Sequence, residues 1–304
     1  MALDFENFLT EHPTCAQFYE QLENESRKLA MDAAVVPSVH GADFHAIADE
    51  IIGYVRHRYT EYAARYVARS RALEGMQAYF DKNPSVENLN GHATAVNRDD
   101  YNLALLLSIV LTNHRFEILK RLRGFLSDAP LTGRLAALGT GTGYEIKLAA
   151  TALPGWLLES YDIDSQAEQE AKLLLGYFGI THPIHFGREF PIDAVDPARR
   201  NRYDKLIACE VLEHLRDPAR ALSIMREYLK HDGLIFATMA VNIAQEDHIF
   251  WYRDLQSCRK QLSEAGLRIV SEWVVPQSPL PPALIRTKPF HRGNFVAVAA
   301  PSAT

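Results

Sequence analysis

The sequence predicts an α/β chain: a seven-stranded, mostly parallel sheet ending in an antiparallel edge hairpin, preceded by an all-α N-terminal part. Three observations carry this expectation. From about Thr14 to Asp128 the chain runs in long stretches rich in Ala, Leu, Glu and Arg, with no convincing alternating segment, which is the composition of helices. After Gly133 short apolar runs alternate with amphipathic stretches, as in a parallel sheet with helices on its faces. The last two apolar runs are joined by VPQSPLPPALIRTKPF rather than by a crossover helix, so they are expected to pair antiparallel at one edge.

The boundaries follow from the same grammar, with a helical part over 1–128 and a sheet-containing part over 129–304. One helix is expected to start near Thr14, a second to run from Phe44 to about Asp81, and a third to be led by Asp99 and Asp100, whose carboxylates suit a helix N-terminus. Between the last two lies NPSVENLNGHATAVN, a loop composition. The third helix, YNLALLLSIVLTNHRFEILKRL, is apolar around most of its circumference until Thr112, so it should be buried on several sides and join the two parts. Its Asn102, Asn113, His114 and Arg115 are placed either to reach a ligand or to serve as caps and satisfied core groups. The expected strands are Arg134–Leu138, Trp156–Tyr161, Pro183–Phe186, Tyr203–Cys209, Leu234–Met239, Leu267–Val275 and Asn294–Ala299.

Composition narrows the function. The chain has 304 residues, 47% hydrophobic and 23% charged, enough for one large domain or two modest ones. A formal net charge of −6 gives no overall attraction to nucleic acid or to an anionic membrane, which favours a small-molecule substrate. The three cysteines form no CxxC pair, and the twelve histidines form no HxxxH or HxH pair, so neither a disulfide framework nor a metal site is expected. The opening MALDFENFLTEHPT lacks the basic and apolar regions of a secretory signal, and the longest apolar stretch, Leu103 to Leu111, is too short to cross a bilayer. A cytoplasmic protein is expected.

The most informative segment is RLAALGTGTGYEIKLAA. A strand is expected to end at Leu138, with glycines at 139, 141 and 143 and a helix immediately after. Glycine permits a tight turn and close approach of backbone to a ligand. A dinucleotide fold places its third glycine one position later, where Tyr144 stands. The spacing GxGxG resembles the first motif of the class I S-adenosylmethionine-dependent methyltransferase family, a Rossmann-like fold whose glycine loop cradles the amino-acid part and sugar of S-adenosylmethionine. That resemblance implies cofactor contacts from Gly139, Thr140, Gly141, Gly143 and Tyr144. The family often carries an acidic residue two places before the first glycine, but here Ala137 occupies it.

The second expected strand runs into Asp162 and Ile163. A carboxylate at that strand end can accept hydrogen bonds from both hydroxyls of a ribose. The resemblance makes Asp162 the ribose ligand and Ile163 the apolar residue on adenine, while capping of the next helix, shared with Asp164, is the competing role. After the third strand, Glu189 and Asp193 are both candidates for the adenine amine, and spacing does not choose between them.

The segment NRYDKLIACEVLEHLRDPARALSIMREYLKHDGLIFATMAVN is similar to the small-molecule branch typified by ubiquinone-biosynthesis O-methyltransferases. In it a strand ends in the run Glu210-Val211-Leu212-Glu213-His214, a helix opens at Asp217-Pro218, and a glycine turn leads to a fifth strand. Glu210 is expected to face the cofactor. His214 is the candidate general base, because imidazole titrates near neutrality and an alcohol or phenol must lose its proton before methylation. His248 is the second candidate, since loops leaving the carboxyl ends of such strands face the ligand crevice. Beside it, Phe250, Trp251 and Tyr252 are expected either to wall the acceptor or to pack on the N-terminal helices.

The expected partners are therefore S-adenosylmethionine, converted to S-adenosylhomocysteine, and a small-molecule methyl acceptor, with a homodimer contact available through the N-terminal helices. No nucleic acid and no membrane is expected as partner. Arg56, Arg58, Arg65, Arg69 and Arg71 load one helix with charge, but Glu61 and Glu74 interrupt them. Two rival readings remain: a fold-retaining protein without catalysis, which Ala137 encourages, and a nicotinamide-dependent oxidoreductase, which Tyr144 opposes.

Overall fold

From residue 113 onward the chain alternates helix and strand. In the computed structural model the elements are α1 (Asn113–Ser127), β1 (Arg134–Leu138), α2 (Tyr144–Ala152), β2 (Leu157–Tyr161), α3 (Ala167–Tyr177), β3 (Ile184–Gly187), β4 (Tyr203–Ala208), α4 (Pro218–Tyr228), β5 (Leu229–Val241), α5 (Leu255–Glu264), β6 (Leu267–Pro276) and β7 (Gly293–Pro301). The residues described are 46–48, 50–51, 53–55, 57–58, 102, 105–106, 108–109, 113–243, 248–276 and 293–302. Those before 113 are all helical, in the spans where the second and third helices are expected. The expected helix near Thr14 and the loop NPSVENLNGHATAVN lie outside the described residues.

The seven strands pair in the order β3-β2-β1-β4-β5-β7-β6. The first five run parallel, and β7 inserts antiparallel between β5 and β6. Strand β1 reads RLAAL and is buried everywhere except at its first residue, the near-continuous apolar run that a parallel strand covered on both faces requires. Its neighbours are set so that Leu138 lies level with Tyr161 of β2 and Ala208 of β4. The carboxyl ends of β1, β2 and β4 therefore emerge side by side.

One core lies on each face of the sheet. The first joins Ile51, Leu106, Phe116 and Tyr144 to Phe236 of the sheet, so the N-terminal helical residues pack on the face that carries α1 and α2. The second joins Leu222, Met225, Tyr228 and Leu262 of α4 and α5 to the other face. Helix α4 starts where expected: the Asp217 side chain accepts from the Arg220 N–H at 2.9 Å and Pro218 occupies the first turn. Helix α1 is fastened to β4 at its C-terminal end, where Lys205 Nζ donates to the carbonyls of Phe125 and Asp128 and lies 4.3 Å from the Phe125 ring.

One boundary differs from the sequence expectation. Strand β5 begins at Leu229 rather than Leu234, and its pairing with β4 shifts between Tyr203↔Leu229 and Lys205↔Leu234. Gly233 sits in this irregularity, where a Cβ would lie 2.8 Å from the Tyr203 carbonyl oxygen. The glycine here serves a close backbone approach within the sheet, not a separate turn.

Buried in β2, Glu159 gathers donors from three segments. It accepts from the Tyr161 hydroxyl at 2.6 Å, the Tyr203 hydroxyl at 2.9 Å, Arg134 at 2.9 Å and Arg202 at 3.1 Å. Burial works to raise its pKa, but the bonds from Tyr161, Tyr203 and Arg202 outweigh it and hold the carboxyl at about 2. A depressed carboxylate stabilises the fold above its unfolded pKa and loses that contribution as pH falls from there toward the folded value. Glu159→Gln is therefore expected to cost about 3 kcal/mol at neutral pH and to flatten the pH dependence of stability between about pH 4.5 and 2. Urea unfolding across that range measures both.

Candidate active site

At the end of β1 three glycines turn the chain into α2, with φ values of 73° at Gly139, 51° at Gly141 and 83° at Gly143. Two of them also have no room for a side chain. A Cβ on Gly139 would lie 2.6 Å from Val211 Cγ2, and one on Gly143 would lie 2.6 Å from Ala171 Cα. At Gly141 a Cβ would meet nothing within 4 Å, so this residue faces open space.

Most of the loop's amides are spent within the protein. Gly139 and Thr140 donate to the Tyr161 carbonyl at 2.8 and 3.2 Å, and Gly143 donates to the Thr140 carbonyl at 2.8 Å. The Gly141 N–H donates to Asp162 Oδ2 at 2.9 Å, and the Thr140 and Ser160 hydroxyls share a buried bond of 2.8 Å. Asp162 thus braces the glycine turn from the neighbouring strand end. Its Oδ1 accepts from the Asp164 N–H at 2.8 Å, and Asp164 in turn accepts from the Gln166 N–H just before α3. The helix-capping role falls to Asp164. Asp162 remains half-buried, and each of its oxygens has a second lone pair available to a ribose hydroxyl.

Around this centre the other expected cofactor residues are placed differently. Ile163 is 84% exposed beside Asp162, and Arg188 donates to its carbonyl at 2.9 Å. The Tyr144 side chain turns away from the loop's concave side: it is fully buried and donates to Glu50 at 2.9 Å, alongside Lys147 at 2.5 Å. Any contact from Tyr144 to a cofactor is thus made by its main chain. Glu189 and Asp193 are both exposed after β3, and the structure leaves the choice between them open.

Beyond β4 stands a charged network. Glu210, itself at φ 54°, pairs with Arg115 of α1 at 3.1 Å and accepts from Thr238 Oγ1 and Asn294 Nδ2 at 2.7 Å each. Arg115 also lies 4.0 Å from Glu145. The Glu145 and Glu210 side chains keep 17% and 19% of their surface accessible, so the network is not sealed from solvent. Burial would raise Glu210, but Arg115 and the Thr238 hydrogen bond hold its pKa below the usual carboxylate value. Burial raises Glu145 more than Arg115 lowers it. Of the four polar residues expected on the third helix, Arg115 joins this site, and His114 lies close enough to favour Glu210's charge.

The two candidate bases come together. Leu212–His214 form a short turn of 3-10 helix after β4, and the Glu213 carbonyl accepts from the N–H groups of Ile249 and Phe250 at 2.8 Å each. This stitches the loop after β4 to the segment after β5, and His214 and His248 meet edge to face with ring centroids 5.0 Å apart. The fold thereby creates a histidine pair that no local spacing in the sequence reveals. Tyr252 corrects an expectation: it is 1% exposed, belongs to the core shared with α4 and α5, and donates to Gln261 at 2.7 Å. Among the described residues its packing is with that core and not with the N-terminal helices.

Residues 111–272, more than half of the chain, match the family model described as a methyltransferase domain. The chain belongs to this family. Its donor is S-adenosylmethionine, and the sheet order and glycine turn are those of the class I methyltransferases. Among solved structures, the mitomycin 7-O-methyltransferase MmcR aligns with a TM-score of 0.51 at 11% identity, over 79% of this chain and 69% of that one. The [4+2]-cyclase SpnF gives 0.49 at 16%, over 60% and 81%. The N-methyltransferase NodS from Bradyrhizobium japonicum WM9, in complex with S-adenosyl-l-homocysteine, gives 0.48 at 15%, over 64% and 91%. At 11% identity the likeness to MmcR is one of fold. No curated protein matches the chain.

Several residues gathered at this candidate site escape a reading of the sequence. Thr238 is a single hydroxyl in an apolar strand, Asn294 opens the last strand, and Glu145 reads as an ordinary first-turn acid of α2. Only the lone polar position inside FATMA carries a signal, as a buried hydroxyl needs a partner. The glycine turn itself is testable: Gly143→Ala forces a Cβ against α3 at positive φ and is expected to destabilise the fold by about 1–3 kcal/mol, read as a lowered midpoint in urea.

Proposed function

We propose that the chain transfers the methyl group of S-adenosylmethionine to a small-molecule acceptor through an oxygen or nitrogen atom. The observation that carries this reading is the Asp162 carboxylate bonded to the Gly141 N–H at the rim of a loop whose Gly141 faces open space. The residues present fit the donor. Asp162 would hold the ribose hydroxyls through its remaining lone pairs, Ile163 would cover adenine, and the backbone of Gly139, Thr140, Gly141 and Gly143 would border the amino-acid part. Glu210, held ionised by Arg115, places negative charge toward a cationic donor. When bound, S-adenosylmethionine supplies an electrophilic methyl on a sulfonium sulfur.

The same geometry speaks against a nicotinamide cofactor. A pyrophosphate needs free amides at the glycine turn, and those of Gly139, Thr140, Gly141 and Gly143 already donate within the protein. On the acceptor side, His214 and His248 stand at the carboxyl ends of β4 and β5, where an acceptor proton must be lost. Positioning and exclusion of water supply the remaining acceleration of an in-line displacement. Residues 1–128 are proposed to cover the acceptor and to offer a homodimer contact. Support comes from Glu50, bonded to Tyr144 and Lys147 beside the glycine turn, and from Arg115 at Glu210.

Asp162→Ala is expected to weaken S-adenosylmethionine binding by roughly 1–3 kcal/mol, the range of charge-assisted hydrogen bonds, by calorimetric titration; unchanged affinity removes Asp162 from the ribose. Wild-type protein that binds NAD and not S-adenosylmethionine ends the methyltransferase reading. His214→Ala should lower turnover to S-adenosylhomocysteine by about a hundredfold or more while keeping donor affinity, and near-wild-type turnover excludes it from the chemistry.

A further inference from the structure

The imidazole pair has a third member. One ligand atom from each of Glu213, His214 and His248 lies within 4.8 Å of the others, with Glu213 fully buried and His248 3% exposed. A carboxylate and two imidazoles so gathered offer one oxygen and two nitrogen donors to a common centre.

Three features make the cluster a prepared one. The His248 Nδ1 faces the Ile243 carbonyl at 2.9 Å; a carbonyl only accepts, so Nδ1 carries the proton and the ligating lone pair is on Nε2. A backbone carbonyl in this role is what orients metal-bound histidines. The segments bearing Glu213 and His248 are locked together by the two hydrogen bonds from Ile249 and Phe250 to the Glu213 carbonyl. The surroundings also carry acid, since Glu145 and Glu210 flank Arg115 and Glu213 adds to the negative charge felt at Cys209.

We infer that Glu213, His214 and His248 form a binding site for one divalent transition cation. Two imidazole nitrogens and one carboxylate oxygen are donors for Zn²⁺, Mn²⁺, Fe²⁺ or Co²⁺ rather than for Ca²⁺ or Mg²⁺, which prefer oxygen alone. Three protein ligands leave coordination positions open, as at sites that take an exogenous oxygen. The ligand atoms need to draw in to about 2.0–2.2 Å from the ion, a movement within reach of side-chain rotation. Resting on the methyl-transfer reading, this assigns the acceptor an oxygen donor group able to reach the cation.

Chelator-treated full-length protein titrated with Co²⁺, followed by visible d–d absorption, and with Zn²⁺, followed by calorimetry, tests the site without any turnover. One cation per chain is expected, with affinity lowered at least tenfold by Glu213→Gln and by His248→Ala. Absence of saturable binding to the wild-type chain overturns the proposal, as does wild-type affinity in the His214→Ala/His248→Ala double variant. Titration of the same metal-free samples with S-adenosylhomocysteine separates the two claims. Retained binding keeps the methyltransferase reading whatever the cations do, and its loss in protein that binds Co²⁺ stoichiometrically counts against that reading alone.

Discussion

The hydrogen bond from the Gly141 N–H to Asp162 Oδ2 is the contact on which the architecture of the site depends. Parallel pairing sets Leu138 level with Tyr161, so the residues that follow β1 and β2 leave the sheet as neighbours, and a carboxylate on one can brace a turn on the other. An ionised acceptor makes this stronger than a bond between neutral groups. The third strand end is joined by contact: Val211, just past β4, occupies the space that a side chain at Gly139 would need. The glycine loop and the loop after β4 are therefore packed against each other.

Charge around the end of β4 is arranged with more acid than base. Arg115 lies between Glu210 and Glu145, and burial lifts Glu145 toward its neutral form while Glu210 stays ionised. Thr238 and Asn294 complete the coordination of Glu210 from β5 and β7. Three elements, α1, β5 and β7, thus converge on one carboxylate. A cationic donor and a divalent cation are the ligands such an imbalance favours.

Much of this was legible in the amino-acid order. The apolar runs gave all seven strands, most plainly β1 and β4, because a parallel strand covered on both faces has no polar side to disguise it, and the Pro-rich connection marked the antiparallel edge. The GxGxG turn and Asp162 were legible because both roles are local: positive φ demands glycine, and a strand-end carboxylate has few alternatives. What stayed hidden is what the fold assembles from afar. Tyr144 follows the glycines, yet its ring goes to Glu50 because the helix rotates it away from the loop. Glu213, His214 and His248 lie on two connections that become neighbours only when β4 and β5 pair, and Tyr252 went to the opposite core because the chain crosses the sheet end there.

Helix α1 is held to β4 at two points, Lys205 to the carbonyls near its C-terminus and Arg115 to the acid just beyond the strand's far end. At 1.5 Å per residue the helix climbs about 15 Å from Arg115 to Phe125, passing from the turn beyond Ala208 that carries Glu210 to Lys205, so the helix acts as a gauge laid along the strand. Losing or gaining one residue between those points would swing Arg115 by about 100° around the axis, leaving the guanidinium pointing at the sheet or at water and the acid at the cleft without its counter-charge.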